Sequence, residues 1–233
     1  MTGLSGKSLG TATSRLANAV RLFSPARGFY VVIPPEYRSW AAVPANWFVD
    51  DMMRHLDREY YVGFLSAAAF HGASHQAPQV FQVVTTKPLA DRDFGRIRLR
   101  FITSKLVEQM PTDRGTSHTG YYRVSSREGT AVDLAWRPRH GAGLSNVATI
   151  LKELGDLDGD QLARLAQLRD RATARRLGWL LNNFRDDIDL HSLRTVAEPE
   201  AGEPSLLQPR GTRRGSVDRE WGVVVNTTVE PDV

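Results

Sequence analysis

Four groups of residues in this chain have types and spacings that could do chemistry. His71 and His75 stand four apart, as two metal-binding histidines on one helix face would. Gly72 lies between them as a helix stop, and no acidic third ligand is near, so a hydrogen-bonded structural histidine is the better reading. Asp186, Asp187 and Asp189 could gather around magnesium, but no partner motif accompanies them, and a solvated turn explains them. Gly141-Ala142-Gly143-Leu144 has the outline of an anion-binding turn before a helix. GxxxxGKS/T and GxGxxG are both missing, so it reads as a loop and a helix start. No nucleophile elbow, HExxH or paired-carboxylate motif occurs, and the chain has no cysteine. No catalytic residue, metal ligand or cofactor is therefore assigned, and the inventory points away from an enzyme. A metal-dependent, nuclease-like α/β enzyme using Asp, Glu and His is the weaker alternative.

The fourth group is near the N-terminus. Thr11, Ser14, Asn18 and Arg21 recur on one side of a stretch whose other side is Ala12, Leu16, Ala19, Val20 and Phe23. Hydroxyl, amide and guanidinium groups can bond base edges and phosphates, and none of these residues is acidic. Lys7, Arg15 and Arg27 add positive charge nearby. Residues 1–38 hold five basic residues against Glu36 alone, whereas the other 195 residues hold 25 basic and 25 acidic. All of the formal +4 thus lies in the first sixth of the chain. That is the electrostatic footprint of an anion-binding module, most often one for nucleic acid. A solvated basic tail is the alternative.

The elements that would position these groups follow the hydrophobic pattern. Residues 11–23 are expected to form a helix stopped by Ser24-Pro25. Arg27 to Pro35 then forms a basic turn and a strand ended by two prolines. A polar-faced helix followed by such an arm is the tail of a winged helix-turn-helix, whose helix enters the major groove while the wing touches the backbone. A small helix-plus-strand cap on the main body is the competing reading. Asn46 would cap a helix over 47–58, and Tyr60 to Gly72 reads as one nearly all-apolar helix that must be wrapped. Val80–Thr86 reads as a central strand. In 96–101 arginines alternate with Ile97, Leu99 and Phe101, a half-exposed strand. Residues 103–118 show no regular pattern, 121–126 resumes strand character, and 127–136 is a helix. The C-terminal half is largely helical, with a last strand over 220–226 returning to the sheet.

With 41% hydrophobic and 24% charged residues, the composition is that of an ordinary globular protein. No apolar run reaches membrane-spanning length and no signal pattern opens the chain, so the expected location is cytoplasmic, away from membranes.

A series of segments then carries a specific resemblance. It comprises Arg27–Pro35, Tyr60–Gly72, Gln79–Thr85, Val124–Leu134, Gly141–Val147, Arg175–Leu181 and Trp221–Asn226. In this order the series resembles the AbiEi-type antitoxins of type IV (AbiE) toxin–antitoxin systems, the abortive-infection class of phage defence. The resemblance implies an α+β protein with an N-terminal partial winged helix-turn-helix at 1–37. A larger α/β antitoxin domain with a helical C-terminal half would fill 45–233. It implies autorepression through inverted repeats in operator DNA, and a cognate nucleotidyltransferase toxin as partner. A monomer or a dimer would suit a palindromic operator. The DNA-binding positions it implies are Lys7, Thr11, Ser14, Arg15, Asn18, Arg21 and Arg27. The helices that normally precede the recognition helix in this family are absent or reduced to residues 1–10. This leaves an antitoxin without DNA binding, or a solitary DNA-binding regulator, as alternatives.

Overall fold

The computed structural model describes residues 13–74 and 79–232. It is mixed α+β, and it divides into two compact units. The first comprises residues 1–61, 79–107 and 114–123; the second comprises 62–78, 108–113 and 124–233.

In the first unit, helix α1 (residues 13–18) leads into a hairpin of β1 (Leu22–Ala26) and β2 (Phe29–Val32). The expected helix over 11–23 is thus too long. Val20 N–H bonds Ala17 O at 2.9 Å and Arg21 N–H bonds Leu16 O at 2.9 Å, the paired bonds of a Schellman stop. Val20 occupies the left-handed stop position with φ 52°, a strained site for a β-branched residue. Phe23, expected on the helix face, points from β1 into the core and meets Phe48 at 5.4 Å and Phe94 at 5.3 Å. Ser24-Pro25 is an irregularity within β1, where the register shifts between Phe23 and Ala26. A proline, having no N–H, is tolerated at such a place.

Helix α2 (Val49–His55) follows a short 3-10 turn (Ala45–Trp47). Phe48 holds the cap position expected of Asn46, and Asp50 and Asp51 lie in the first turn, where the helix dipole favours them.

Strand β3 (Tyr60–Val62) corrects the second helix reading. Tyr-Tyr-Val favours the extended pleat, and Gly63 breaks the chain before helix α3 (Phe64–Phe70). An apolar run does not tell strand from helix by periodicity. Gly72, φ 78°, does end α3, with Ala73 N–H reaching Ala68 O at 2.9 Å.

Strands β4 (Phe81–Thr85), β5 (Arg92–Phe94), β6 (Ile97–Thr103), β7 (Thr112–Ser117) and β8 (Gly120–Ser125) complete a six-stranded sheet of order β5-β6-β4-β3-β8-β7. Strand β4 is internal and parallel to β6, as its near-continuous apolar run implies. Thr112–Ser117, unrecognised in the sequence, is a polar edge strand.

The second unit is mostly helical: α4 (Arg127–Trp136), α5 (Leu144–Glu153), α6 (Gly159–Arg169), α7 (Arg171–Phe184) and α8 (His191–Ala197). Ser126 caps α4 by accepting from Gly129 N–H at 3.1 Å, and Asp158 and Asp170 cap α6 and α7. Strands β9 (Ser205–Leu206), β10 (Ser216–Asp218) and β11 (Val223–Val225) form a separate sheet of order β10-β11-β9. The last strand therefore does not return to the main sheet. Trp221 before it is fully buried, and Gly178 of α7 lets it in: a Cβ there would stand 2.0 Å from the indole ring.

Two arginines of α7 hold this unit together. Arg175 is buried, and its guanidinium donates to Ala197 O, Glu198 O, Glu203 O and Ala201 O, organising the 197–205 loop. Arg176, also buried, donates to Ala135 O at 2.7 Å, Leu206 O at 3.0 Å and Leu207 O at 2.7 Å. It thus ties the end of α4 to the end of β9. Arg169 of α6 forms a buried ion pair with Asp133 of α4.

Candidate nucleic-acid interface

Of the seven residues that the sequence nominates, Lys7 and Thr11 lie outside the described residues. Ser14, Arg15 and Asn18 are exposed on α1, with Ser14 and Asn18 one turn apart on the same face. Arg21 is exposed but has left the helix: it stands beyond the Schellman stop, where its carbonyl accepts from Ile33 N–H at 2.8 Å. The structure therefore groups Ser14, Arg15 and Asn18 on one element and moves Arg21 to the base of the hairpin.

Arg27 is exposed at the hairpin tip, in a two-residue turn with Gly28 at φ 78°. At roughly 3.3 Å per residue along β1, about 20 Å separates Arg21 from Arg27. The tip is anchored from below. His55 Nε2 lies 3.0 Å from Arg27 O, the His55 ring packs 5.5 Å from Phe29, and Arg92 donates to Pro25 O. Its backbone is fixed while the Arg27 side chain stays in solvent. Among the described residues, none of Arg15, Arg21 and Arg27 has a carboxylate partner, so their charge is available to an external anion.

Of the apolar side expected of the helix, Leu16 (38% exposed) and Ala19 stay in solvent, Val20 is half-buried, and Phe23 enters the core from β1. On the hairpin, Tyr30 and Val32 are exposed at 49% and 73%.

Charge follows the structural units more sharply than the chain order suggested. The first unit carries 15 basic and 7 acidic residues, a formal +8; the second carries 15 basic and 19 acidic, a formal −4. Part of the basic charge is spent internally. Arg100 bonds Asp93 at 2.7 Å and holds that carboxyl below its ordinary range, and Arg123 bonds Glu59 at 2.6 Å. Arg98 of β6 remains exposed.

The other candidate groups are absorbed by the fold. His71 Nε2 lies 2.7 Å from Ser125 O, a structural role, and His75 is outside the described residues. Arg185 binds Asp187 and holds its carboxyl below the usual range. Asn146 donates to Gly141 O at 2.9 Å, stapling the glycine turn. Among the described residues no group of three His, Asp or Glu could hold a metal ion, and no helix is long and apolar enough to cross a membrane.

Comparison with known proteins adds the family. No curated protein matches the chain. Among solved structures, the RV2827C protein of Mycobacterium tuberculosis has the same fold, with a TM-score of 0.65 over 94% of this chain and 80% of that one, at 15% identity. Residues 61–183, which run from within β3 to within α7 and take in all of α3 to α6, match the family of AbiEi antitoxin C-terminal domains. The chain belongs to the AbiEi antitoxin family, and its role is that of the antitoxin in a toxin–antitoxin pair.

Proposed function

We propose that this antitoxin counteracts a nucleotidyltransferase-type toxin and represses its own operon by binding inverted repeats in the promoter. The observation that carries the DNA half is the exposed set Ser14, Arg15, Asn18, Arg21 and Arg27 on a helix and hairpin whose arginines have no acidic partner among the described residues. In this reading α1 lies in the major groove and the Arg27 tip reaches backbone phosphate about a half-turn away, the division of labour of a winged helix. Lys7 and Thr11, outside the described residues, are assigned the same DNA-contacting role. The division of labour falls between residues 1–37, which read DNA, and 45–233, which act on the toxin. The protein works in the cytoplasm, without catalysis of its own, as a monomer or dimer on a palindromic site. Neutralisation of the toxin rests on the family match over 61–183.

One observation favours a second reading. Leu16 of α1 is exposed, as on a helix with no packed helical core behind it among the described residues. On that reading the chain is an antitoxin without DNA binding.

Fluorescence anisotropy with a promoter fragment separates them. Binding should weaken linearly in log K against log salt, with a slope of about −0.9 for each phosphate neutralised. Three unpaired arginines set a minimum slope near −3 on that scale. A promoter affinity no greater than that for scrambled duplex would remove the repressor half and leave the second reading.

A further inference from the structure

The second unit is acidic overall, yet it gathers four arginines around one tryptophan. The Arg137 guanidinium lies 3.9 Å from the centre of the Trp136 ring, and the Arg169 guanidinium lies 4.0 Å from it. Trp136 and Arg137 line a cavity of about 270 Å³ together with Arg139, Gln208 and Arg210. The only carboxylate among the groups acting on Arg137 is Asp133, and it is already paired with Arg169. Among the described residues neither Arg137, Arg139 nor Arg210 has an ion-pair partner. Burial, and then the repulsion of Arg139, Arg169 and Arg210, pull the Arg137 guanidinium below its ordinary pKa.

The cavity walls are held in place. One wall is the turn Arg137-Pro138-Arg139 after α4, and the other is Gln208-Pro209-Arg210 after β9. Arg176 bonds Ala135 O on the first and Leu206 O and Leu207 O on the second. Asn226 fixes the second wall again, accepting from Gln208 N–H at 2.8 Å and donating to Gln208 O at 3.1 Å. Like charges crowded on two rigid turns are unfavourable when the cavity holds only water. An anion between them converts repulsion into charge-assisted hydrogen bonds.

We infer that the cavity between the 137–139 and 208–210 turns is a binding site for a phosphoryl anion, with Arg137, Arg139 and Arg210 as its donors and Trp136 as the platform that orients Arg137. Guanidinium forks match phosphate oxygens in pairs, and the volume suits a phosphate or a pyrophosphate rather than a whole nucleotide. The source is either a free small phosphate or the backbone of a nucleic acid. The site is built wholly from residues of the second unit and does not depend on the reading of α1 and the hairpin.

Calorimetric titration of the full chain with sodium pyrophosphate, against sodium chloride at matched ionic strength, tests this. The parent should bind and should change its tryptophan fluorescence, a change lost in Trp136→Phe. Arg137→Ala and Arg210→Ala should each bind about tenfold more weakly, about 1.4 kcal/mol. Arg213→Ala, whose side chain instead pairs with Glu203, should bind as the parent does. Arg210 is exposed, so its variant reports even if Arg137→Ala folds poorly. Competition by a short duplex would support the site and assign it to nucleic-acid phosphate; its absence, with pyrophosphate bound, would support it as a small-anion site. No binding above the chloride control, or equal binding by the Arg210 variant, would overturn the inference.

Discussion

Arg176→Met is expected to lower the unfolding free energy by about 4 kcal/mol, read as a fall in denaturation midpoint at unchanged slope. The side chain is buried, and its guanidinium supplies donors to three backbone carbonyls at the junction of α4 and β9. Each buried carbonyl stripped of its donor costs about 1–3 kcal/mol, and methionine replaces the volume but none of the donors. The charge itself is not the source of stability. Burial pulls the Arg176 pKa down from its ordinary value to about 10, so the folded protein releases this proton more easily than the unfolded chain. The desolvation penalty is then fully present below about pH 10 and is relieved as pH rises through that value. Hydrogen bonds must offset it at neutral pH. For the same reason Arg176→Lys should recover little, since a lysine ammonium lacks the planar fork that spans both turns. A midpoint equal to the parent's would mean that these carbonyls find other partners.

The second large effect concerns DNA. Arg15→Ala, Arg21→Ala and Arg27→Ala combined should weaken promoter binding on the order of a hundredfold at low salt and flatten the salt slope by about 3. All three side chains are exposed and lack carboxylate partners among the described residues, so their removal should leave the melting temperature close to the parent's. The same triple variant should still neutralise the toxin, because residues 61–183 are untouched. Loss of both activities together would argue against a separate DNA-reading segment.

Much of the fold was legible in the residues. The alternation of Arg96, Arg98 and Arg100 with Ile97, Leu99 and Phe101 specified β6, and Ser126 announced α4. Failures occurred where local signals compete. At Tyr60–Val62 an unbroken apolar run fits helix and strand alike, and Gly63 alone marks the break. Thr112–Ser117 was missed because a polar edge strand has no apolar face to reveal it. The α1 stop was hidden by a valine in a position that glycine usually fills. Of the candidate interface, Ser14, Arg15 and Asn18 fall together as their spacing implied, whereas Arg21 does not. The Arg137–Arg210 cavity was beyond the sequence, since its walls lie about 70 residues apart and meet through a buried Arg176 that composition would assign to the surface.

Growth under toxin induction tests most directly that this chain is an antitoxin. Cells expressing the proposed nucleotidyltransferase-type toxin should stop growing, and co-expression of this chain should restore colony formation. Unrestored growth, with the chain accumulating folded in the same cells, would contradict the account.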